Sequence, residues 1–76
     1  SGKVENTSIL DEQQERNKHL IENGIKVYYE RFGTYPSNLN ELLEKQVMTF
    51  LPEQPYEDRE WAYDPKTGTL SWQVRM

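Results

Sequence analysis

The sequence predicts an α+β fold in which a long N-terminal helix packs on a small C-terminal antiparallel β-hairpin, with a short second helix between them. Three observations lead to this prediction. The first part of the chain is rich in helix-forming residues and contains no proline. Glycine and proline then interrupt the middle of the chain. Near the C-terminus, polar and apolar residues alternate on both sides of a turn. A chain of 76 residues is long enough for one small domain.

The first predicted element is a long helix over residues 3–33. Residues 11–19 contain no apolar side chain, so they form a polar neck that is either solvated on every side or covered by another chain. Apolar residues cluster after the neck and recur at steps of four and three along one face: Ile21, Ile25, Tyr28 and Phe32. Gly33 ends the helix and Pro36 prevents its resumption.

A second, shorter helix is predicted over residues 37–46, with Ser37 as its N-terminal cap. Its leucines form a one-sided apolar patch that braces the core. The segment that follows contains two prolines and is predicted to be an irregular loop, with Phe50 and Leu51 turned inward.

A β-hairpin is predicted over residues 60–74, with its turn at residues 65–68. Proline presets the first turn position, and glycine supplies a positive φ at the last. If Asp64 faces Thr69, four side chains point to one face of the sheet, where the long helix is expected to lie: Trp61, Tyr63, Leu70 and Trp72. The predicted core is then Ile21, Ile25, Tyr28, Phe32, Leu39, Leu42, Trp61 and Trp72.

Composition narrows the class of function. The chain has no cysteine, which removes disulfides, thiolate metal sites and cysteine nucleophiles together. Nine basic and 13 acidic residues give a net charge of −4, which disfavours direct contact with nucleic acid. No apolar run approaches the roughly 20 residues that span a bilayer. We therefore expect the chain as given to be soluble.

Catalysis has little support in the sequence. His19 is the only histidine, and its place in the polar neck is typical of solvated helix surface. The chain has neither a nucleophile elbow nor a phosphate-binding glycine loop. The acidic residues Glu57, Asp58 and Asp64 follow no fixed calcium-ligand spacing, so calcium binding by them is left open. We expect no enzyme activity and no cofactor.

Five features follow one another from about residue 20 to residue 72. They are the end of the long helix, Gly-x-Tyr-Pro at residues 33–36, a leucine-rich short helix, a proline-rich loop, and Tyr-Asp-Pro-x-Thr-Gly at residues 63–68. This order resembles the head domains of type IV pilin-like proteins, and it is most similar to the type II secretion pseudopilins and the short pilins. The signature residues are Tyr29, Gly33, Tyr35, Pro36, Tyr63, Asp64, Pro65 and Gly68.

The resemblance implies a structural subunit of a type IV pilus or a type II secretion pseudopilus. Such subunits have an upstream hydrophobic helix with a processed, methylated N-terminus. This helix anchors them in the cytoplasmic membrane and later forms the filament core, while the head lies in the periplasm or outside the cell. Ser1-Gly2 is typical of a tag remnant, so we expect the hydrophobic helix to lie upstream in the natural protein. Because that helix drives polymerisation, we expect the isolated head to be monomeric. The implied partners are other subunits and the assembly machinery.

The chain departs from the family pattern in two places. Gln54-Pro55-Tyr56-Glu57 stands where secretion pseudopilins usually carry Asp-Pro-Trp-Gly, and the sequence given stops two residues after Val74. The calcium-binding loop of the major pseudopilins therefore has no clear counterpart. Near the front of the long helix, Ile9, Leu10 and Arg16 are the expected contacts with neighbouring subunits.

Two other functions are open at this point. Trp61, Tyr63 and Trp72 on one hairpin face could form a stacking platform for a polysaccharide or peptide, as in a cell-surface binding module. Core packing is the preferred interpretation of these aromatic residues, because the helix stripe also needs a partner. A pilin-like subunit that serves DNA uptake is also compatible with the fold, although the net charge of −4 disfavours DNA contact by this head.

Overall fold

The computed structural model describes residues 5–75, and the side chains of residues 9–75. In this part of the chain it has a long helix α1 (Glu5–Phe32), a short helix α2 (Asn40–Glu44) and two strands, β1 (Arg59–Asp64) and β2 (Thr69–Val74). The strands form an antiparallel sheet. The predicted α+β class and the order of elements are confirmed. The proposed tag remnant and the first two residues of the predicted helix lie outside the described residues.

Helix α1 sets the shape of the molecule. Its 28 residues, at 1.5 Å each, span about 42 Å, close to the longest dimension of 46 Å. It ends at Phe32 because Gly33 adopts a φ of +78°, and the Gly33 N–H donates to the carbonyl of Tyr29 at 2.8 Å. Neither described helix combines the length and the apolar character needed to cross a bilayer.

Helix α2 is shorter than predicted and is capped differently. It covers five residues rather than residues 37–46. The Asn38 side chain, not Ser37, accepts a hydrogen bond from the N–H of Glu41, at 3.0 Å. The Glu41 carboxylate in turn accepts from the N–H of Ser37, at 2.7 Å. This reciprocal pair satisfies two backbone donors in the turn that leads into α2, in the manner of a capping box, and the helix itself begins at Asn40.

A left-handed residue ends α2. Gln46 adopts a φ of +61°, and the N–H of Val47 donates to the carbonyl of Leu42 at 2.9 Å. This bond closes the last turn as a Schellman motif does, and it turns the chain back towards α1. The Met48 side chain then lies over Gly24, where an added Cβ would be 2.6 Å from the Met48 sulfur. Gly24 therefore allows the turn after α2 to pack closely on α1.

The hairpin has the predicted register. Trp61 lies opposite Trp72, and Tyr63 lies opposite Leu70. Strand β1 begins one residue earlier than predicted, at Arg59. In the turn, Gly68 adopts a φ of +71° and its N–H donates to the Asp64 carbonyl at 2.8 Å. The Asp64 carboxylate also accepts from the N–H of Lys66 at 2.9 Å, so one side chain stabilises the turn that its own residue opens.

The core lies where α1, α2 and β2 meet. Its buried apolar residues are Ile21, Ile25, Tyr28, Leu42 and Leu70. The first four were predicted from the sequence, and Leu70 completes the cluster from the inward face of the hairpin. Leu39, Trp61 and Tyr63 are half-buried and pack against this cluster. The hairpin face was therefore predicted correctly, although burial along it is uneven.

Three residues predicted to point inward are exposed: Phe32 by 47%, Phe50 by 61% and Trp72 by 37%. Phe32 lies in the last turn of α1, where its ring stacks beside Tyr28 at 4.6 Å and covers the edge of the core. Trp72 faces inward near the open end of the hairpin, beyond the buried cluster. Phe50 and Leu51 are neighbours in a non-helical segment, so their side chains point in different directions and only Leu51 packs on the core.

Two adjacent leucine-sized residues of α1 provide a test of this core. Ile21 is fully buried, whereas Leu20 is 43% exposed. We expect Ile21→Ala to lower the free energy of unfolding by about 2–5 kcal/mol, because it leaves a cavity at the centre of the cluster. Leu20→Ala should lower it by less than about 1 kcal/mol. Urea unfolding followed by tryptophan fluorescence measures both, and equal losses would contradict the assignment of the core face.

Candidate functional site

The two signature motifs contact each other directly. The Tyr63 hydroxyl donates to the carbonyl of Pro36 at 2.7 Å, across 27 residues of sequence, and Pro36 is fully buried. The Tyr35 ring lies so close to Gly68 that an added Cβ would clash with the ring. Gly68 is thus required both for its positive φ and for the space that Tyr35 fills. These two contacts, Tyr63–Pro36 and Tyr35–Gly68, join the loop after α1 to the hairpin turn, and we call them the motif junction.

Tyr29 and Tyr35 form an exposed aromatic pair beside the junction. Their ring centroids are 4.5 Å apart and the rings are tilted by 38°. With Ile25 and Gly68 they line an open groove of about 460 Å³, whose remaining lining residues are the charged side chains Glu22, Lys26 and Glu30. Both tyrosines are exposed although they belong to the signature set. They therefore contribute to the surface of the molecule as well as to the junction.

The polar neck is covered by the chain itself. Gln14 is only 6% exposed, and its side-chain oxygen Oε1 accepts a hydrogen bond from Nη1 of Arg59 at 2.8 Å. One turn earlier, Asp11 accepts a hydrogen bond from the hydroxyl of Tyr56. The expectation of a neck that meets only solvent or another chain was therefore wrong for this face. The proline-rich loop and the start of β1 lie on it.

A third polar contact lies between these two and the core. The Asn17 amide donates to the carbonyl of Glu53 at 2.8 Å. Positions 11, 14, 17 and 21 follow the period of an α-helix, so the hydrogen-bonding residues continue the apolar stripe along the same face of α1. A search for apolar periodicity misses such an extension, because the contacts are polar. The three- and four-residue spacing of Asp, Gln and Asn ahead of Ile21 was the available signal.

Arg59 joins this face of the helix to the hairpin. Its guanidinium carbon lies 3.9 Å from the ring centroid of Tyr56 and 3.9 Å from that of Trp72. Cation–π attraction to both rings, together with the bond to Gln14, holds the side chain in place. Sequence reasoning gave Arg59 no role, because the contact depends on a register that pairs β1 with β2 and on a loop that brings Tyr56 alongside.

The three aromatic residues considered as a stacking platform are engaged within the chain. The indole N–H of Trp61 donates to the carbonyl of Pro52 at 2.9 Å. The Tyr63 hydroxyl donates to the Pro36 carbonyl, and the Trp72 ring packs against the Arg59 guanidinium. Because Trp61 and Tyr63 are half-buried and their polar groups are paired, these contacts argue against a sugar-binding face made of these residues.

The expected subunit contacts do not form one cluster. Ile9 is 51% exposed, Arg16 is exposed and Leu10 is half-buried. Ile9 and Arg16 are seven residues apart and share one face of α1, whereas Leu10 is turned towards the covered face. Leu20 lies eleven residues from Ile9 and therefore on the same face of α1. We name Ile9, Arg16 and Leu20 the helix row.

The acidic residues of the loop and turn are far apart. Glu57 and Asp58 precede β1 and Asp64 ends it, so the length of the strand, about 20 Å, separates them. His19 is exposed between Glu15 at 3.9 Å and Glu22 at 3.3 Å. Within the described residues, no group of three or more histidine or acidic side chains is arranged to hold a metal ion.

Comparison with protein-family models, with curated proteins and with solved structures finds no match. Three features of the structure bear on function: the contact between the two signature motifs, the covered neck and the exposed helix row.

Burial raises the pKa of Tyr63 to about 12, and the nearby carboxylates of Asp64 and Glu41 act in the same direction. Tyr28 also has a raised pKa, first because it is buried and then because of the Glu41 carboxylate, to which its hydroxyl donates at 3.2 Å. The hydrogen bond to Asp11 raises the pKa of Tyr56. All three phenols hold their protons more tightly in the folded chain than in water.

Stability should therefore decline at alkaline pH. An unfolded tyrosine loses its proton near pH 10, whereas folded Tyr63 keeps it to about pH 12. The stabilising contribution is complete below pH 10 and is lost as the pH rises towards 12, since the unfolded state then binds fewer protons. Urea unfolding at pH 8, 10 and 11 measures the decline. Tyr63→Phe should be less stable at pH 8 but should lose stability less steeply with pH, and an unchanged slope would contradict this role.

A comparison of two glycines with positive φ separates the cost of backbone strain from the cost of displacing the Tyr35 ring. A Cβ added at Gly33 would have no atom within 4 Å, whereas one added at Gly68 would meet the Tyr35 ring. Gly33→Ala should cost about 1–2 kcal/mol from backbone strain alone. Gly68→Ala should cost more, because the ring must also move. Thermal unfolding of both variants gives the difference, and Tyr35→Ala should reduce the extra cost. Equal losses for the two glycines would show that the ring contact contributes nothing.

Proposed function

We propose that this chain is the head domain of a pilin-like filament subunit, of the kind that builds type IV pili or the type II secretion pseudopilus. The observation that carries the proposal is the contact between the two signature motifs. The Gly-x-Tyr-Pro loop and the Tyr-Asp-Pro-x-Thr-Gly turn carry the resemblance in sequence, and in space they meet through Tyr63–Pro36 and Tyr35–Gly68. Motifs that fasten the hairpin to the end of the helix have a structural reason to occur together.

The division of α1 into two faces also supports the proposal. One face is covered along most of its length, by the core from Ile21 to Tyr28 and by hydrogen bonds from Asp11 to Asn17. The helix row lies on another face, with two exposed aliphatic side chains and one arginine. A helix that holds its own head on one side and exposes apolar groups on another is suited to packing beside the helices of neighbouring subunits. Repeated head-to-tail contacts of this kind build open filaments.

The proposed role gives the chain a cellular location and a set of partners. An apolar helix upstream of α1, entered through a processed leader, would anchor the subunit in the cytoplasmic membrane, with the head in the periplasm or outside the cell. The partners are other pilin-like subunits and their assembly machinery. The role is structural, without catalysis or a cofactor, and the head by itself is monomeric.

The natural full-length protein, expressed in its own cells, provides the test. Treatment with a lysine-reactive crosslinker should give a ladder of dimers, trimers and larger species, because each subunit in a filament has neighbours on more than one side. Ile9→Glu should weaken the ladder, since it places a charge in the helix row. Val74→Glu is the matched control, because Val74 is 55% exposed, similar to Ile9, but lies at the end of the hairpin.

A full-length protein that stays monomeric, or forms dimers alone, would contradict assembly into a filament. A ladder that is equally insensitive to Ile9→Glu and Val74→Glu would leave the filament in place but would remove the helix row from its contacts. A stable oligomer of the isolated head in light scattering would contradict the proposal that assembly depends on the upstream helix.

A further inference from the structure

A cleft of about 500 Å³ lies between the proline-rich loop and the open end of the hairpin. It is separate from the helix row and from the motif junction. Its apolar lining comes from Leu51, Pro52 and Trp61, and its polar lining comes from Glu53, Gln54, Tyr56, Arg59, Glu60 and Arg75. The volume falls within the range of small-ligand sites, and the mixture of an apolar floor with a few polar groups is typical of them.

Arg59 is a half-buried cation in this cleft. Among the described side chains, no carboxylate forms an ion pair with it, although the chain carries more acidic than basic residues. The neighbouring cation is different, because Nε of Arg75 lies 3.8 Å from the Glu60 carboxylate. Two aromatic rings and Gln14 fix the plane of the Arg59 guanidinium, and only Nη1 is used in a hydrogen bond to a described residue. A planar fork held in this way is suited to binding a carboxylate through two N–H groups.

Gln54 adds a second unpaired group to the same cleft. Both polar atoms of its side-chain amide are buried, and neither has a hydrogen-bond partner among the described groups. A buried amide without partners costs free energy that a new hydrogen bond recovers. Because its atoms are enclosed, the amide would have to rotate towards the cleft to meet a ligand. Such a rotation would replace an unpaired state with a paired one, which would favour binding.

We propose that this cleft binds a carboxylate that lies next to an apolar group, with Arg59 as the anion-binding residue and Gln54 as a second donor. The apolar group would contact Leu51, Pro52 and Trp61. A doubly charged phosphate fits less well, since Glu53 and Glu60 also line the cleft and would repel the second charge. The carboxylate can come from the C-terminus of a peptide or from an acidic side chain. The site does not depend on filament formation.

The experiment uses the ¹⁵N-labelled 76-residue chain and small probes that separate these sources. N-acetyl-leucinate represents a C-terminal carboxylate, and the α-amide of N-acetyl-glutamate represents an acidic side chain. N-acetyl-leucine amide has the same apolar group without the charge, and inorganic phosphate has the charge without the apolar group. We expect at least one of the carboxylates to shift the Trp61 indole N–H, the Gln54 side-chain NH₂ and the Arg59 Nε–H signals. The neutral amide should bind about tenfold more weakly, because it lacks the charge-assisted hydrogen bonds.

Three variants assign the roles of the residues. Arg59→Lys keeps the charge but loses the planar fork, so carboxylate binding should weaken severalfold. Gln54→Leu should weaken binding while leaving the chain at least as stable as the parent, since it replaces an unpaired buried amide with an apolar group of similar size. Gln13→Leu, on the exposed surface of α1, is the matched control and should change neither.

The leucinate and glutamate probes distinguish a C-terminal from a side-chain carboxylate by their relative affinities. Equal affinity for N-acetyl-leucinate and its amide would overturn the proposal, because the charge would then contribute nothing. Tighter binding of phosphate, or the absence of shifts up to the solubility limit of both carboxylates, would also overturn it. None of these outcomes changes the crosslinking result for the full-length protein, so the two proposals fail independently.

Discussion

The structure depends on one apolar contact, the packing of Leu70 and Leu42 against the stripe of α1 formed by Ile21, Ile25 and Tyr28. A two-stranded hairpin is marginal in water without a surface to cover it, and a helix of five residues is too short to be stable alone. Both elements therefore exist because α1 provides a face on which they can bury their side chains. Helix α1 also gains from the contact, since the same burial removes its stripe from water. A domain of this size has few other sources of stability.

Hydrogen bonds extend this contact where apolar residues run out. From Asn17 back to Asp11, the covered face of α1 is joined to the loop and to β1 by amide, carboxylate and phenol groups rather than by aliphatic side chains. Because these polar groups also form hydrogen bonds with water in the unfolded chain, each such bond contributes less to the free energy of unfolding than the burial of a leucine side chain does. The polar end of the interface is therefore expected to open locally at a lower free energy than the core. Arg59 adds contacts with two aromatic rings and with Gln14 to this part of the interface.

The surface residues fall into separate regions with different chemistry. The helix row presents aliphatic groups beside an arginine along α1, which suits helix packing in an assembly. The tyrosine pair lies at the motif junction, and the cleft beside Arg59 combines an apolar floor with unpaired donors. The aromatic residues of the hairpin, which offered an alternative function, are instead used for internal packing and hydrogen bonds. Tyr28, Trp61 and Tyr63 thus supplement a small aliphatic core.

The sequence by itself determined the order of elements, the hairpin register, the ends marked by Gly33 and Gly68, and the core contributed by Ile21, Ile25, Tyr28 and Leu42. These features follow from local rules, since helix periodicity, strand alternation and positive φ are written in neighbouring residues. Only the tertiary structure decided which side chains at the margin were covered. Phe32 and Trp72 obey the correct periodicity but lie beyond the ends of the buried cluster. The candidate cleft could not be predicted, because Gln54, Arg59 and Arg75 meet there only after the proline-rich loop has folded back against the neck of α1. The loop and strand residues that line the cleft have no periodic spacing in the sequence, so local rules do not predict that they meet.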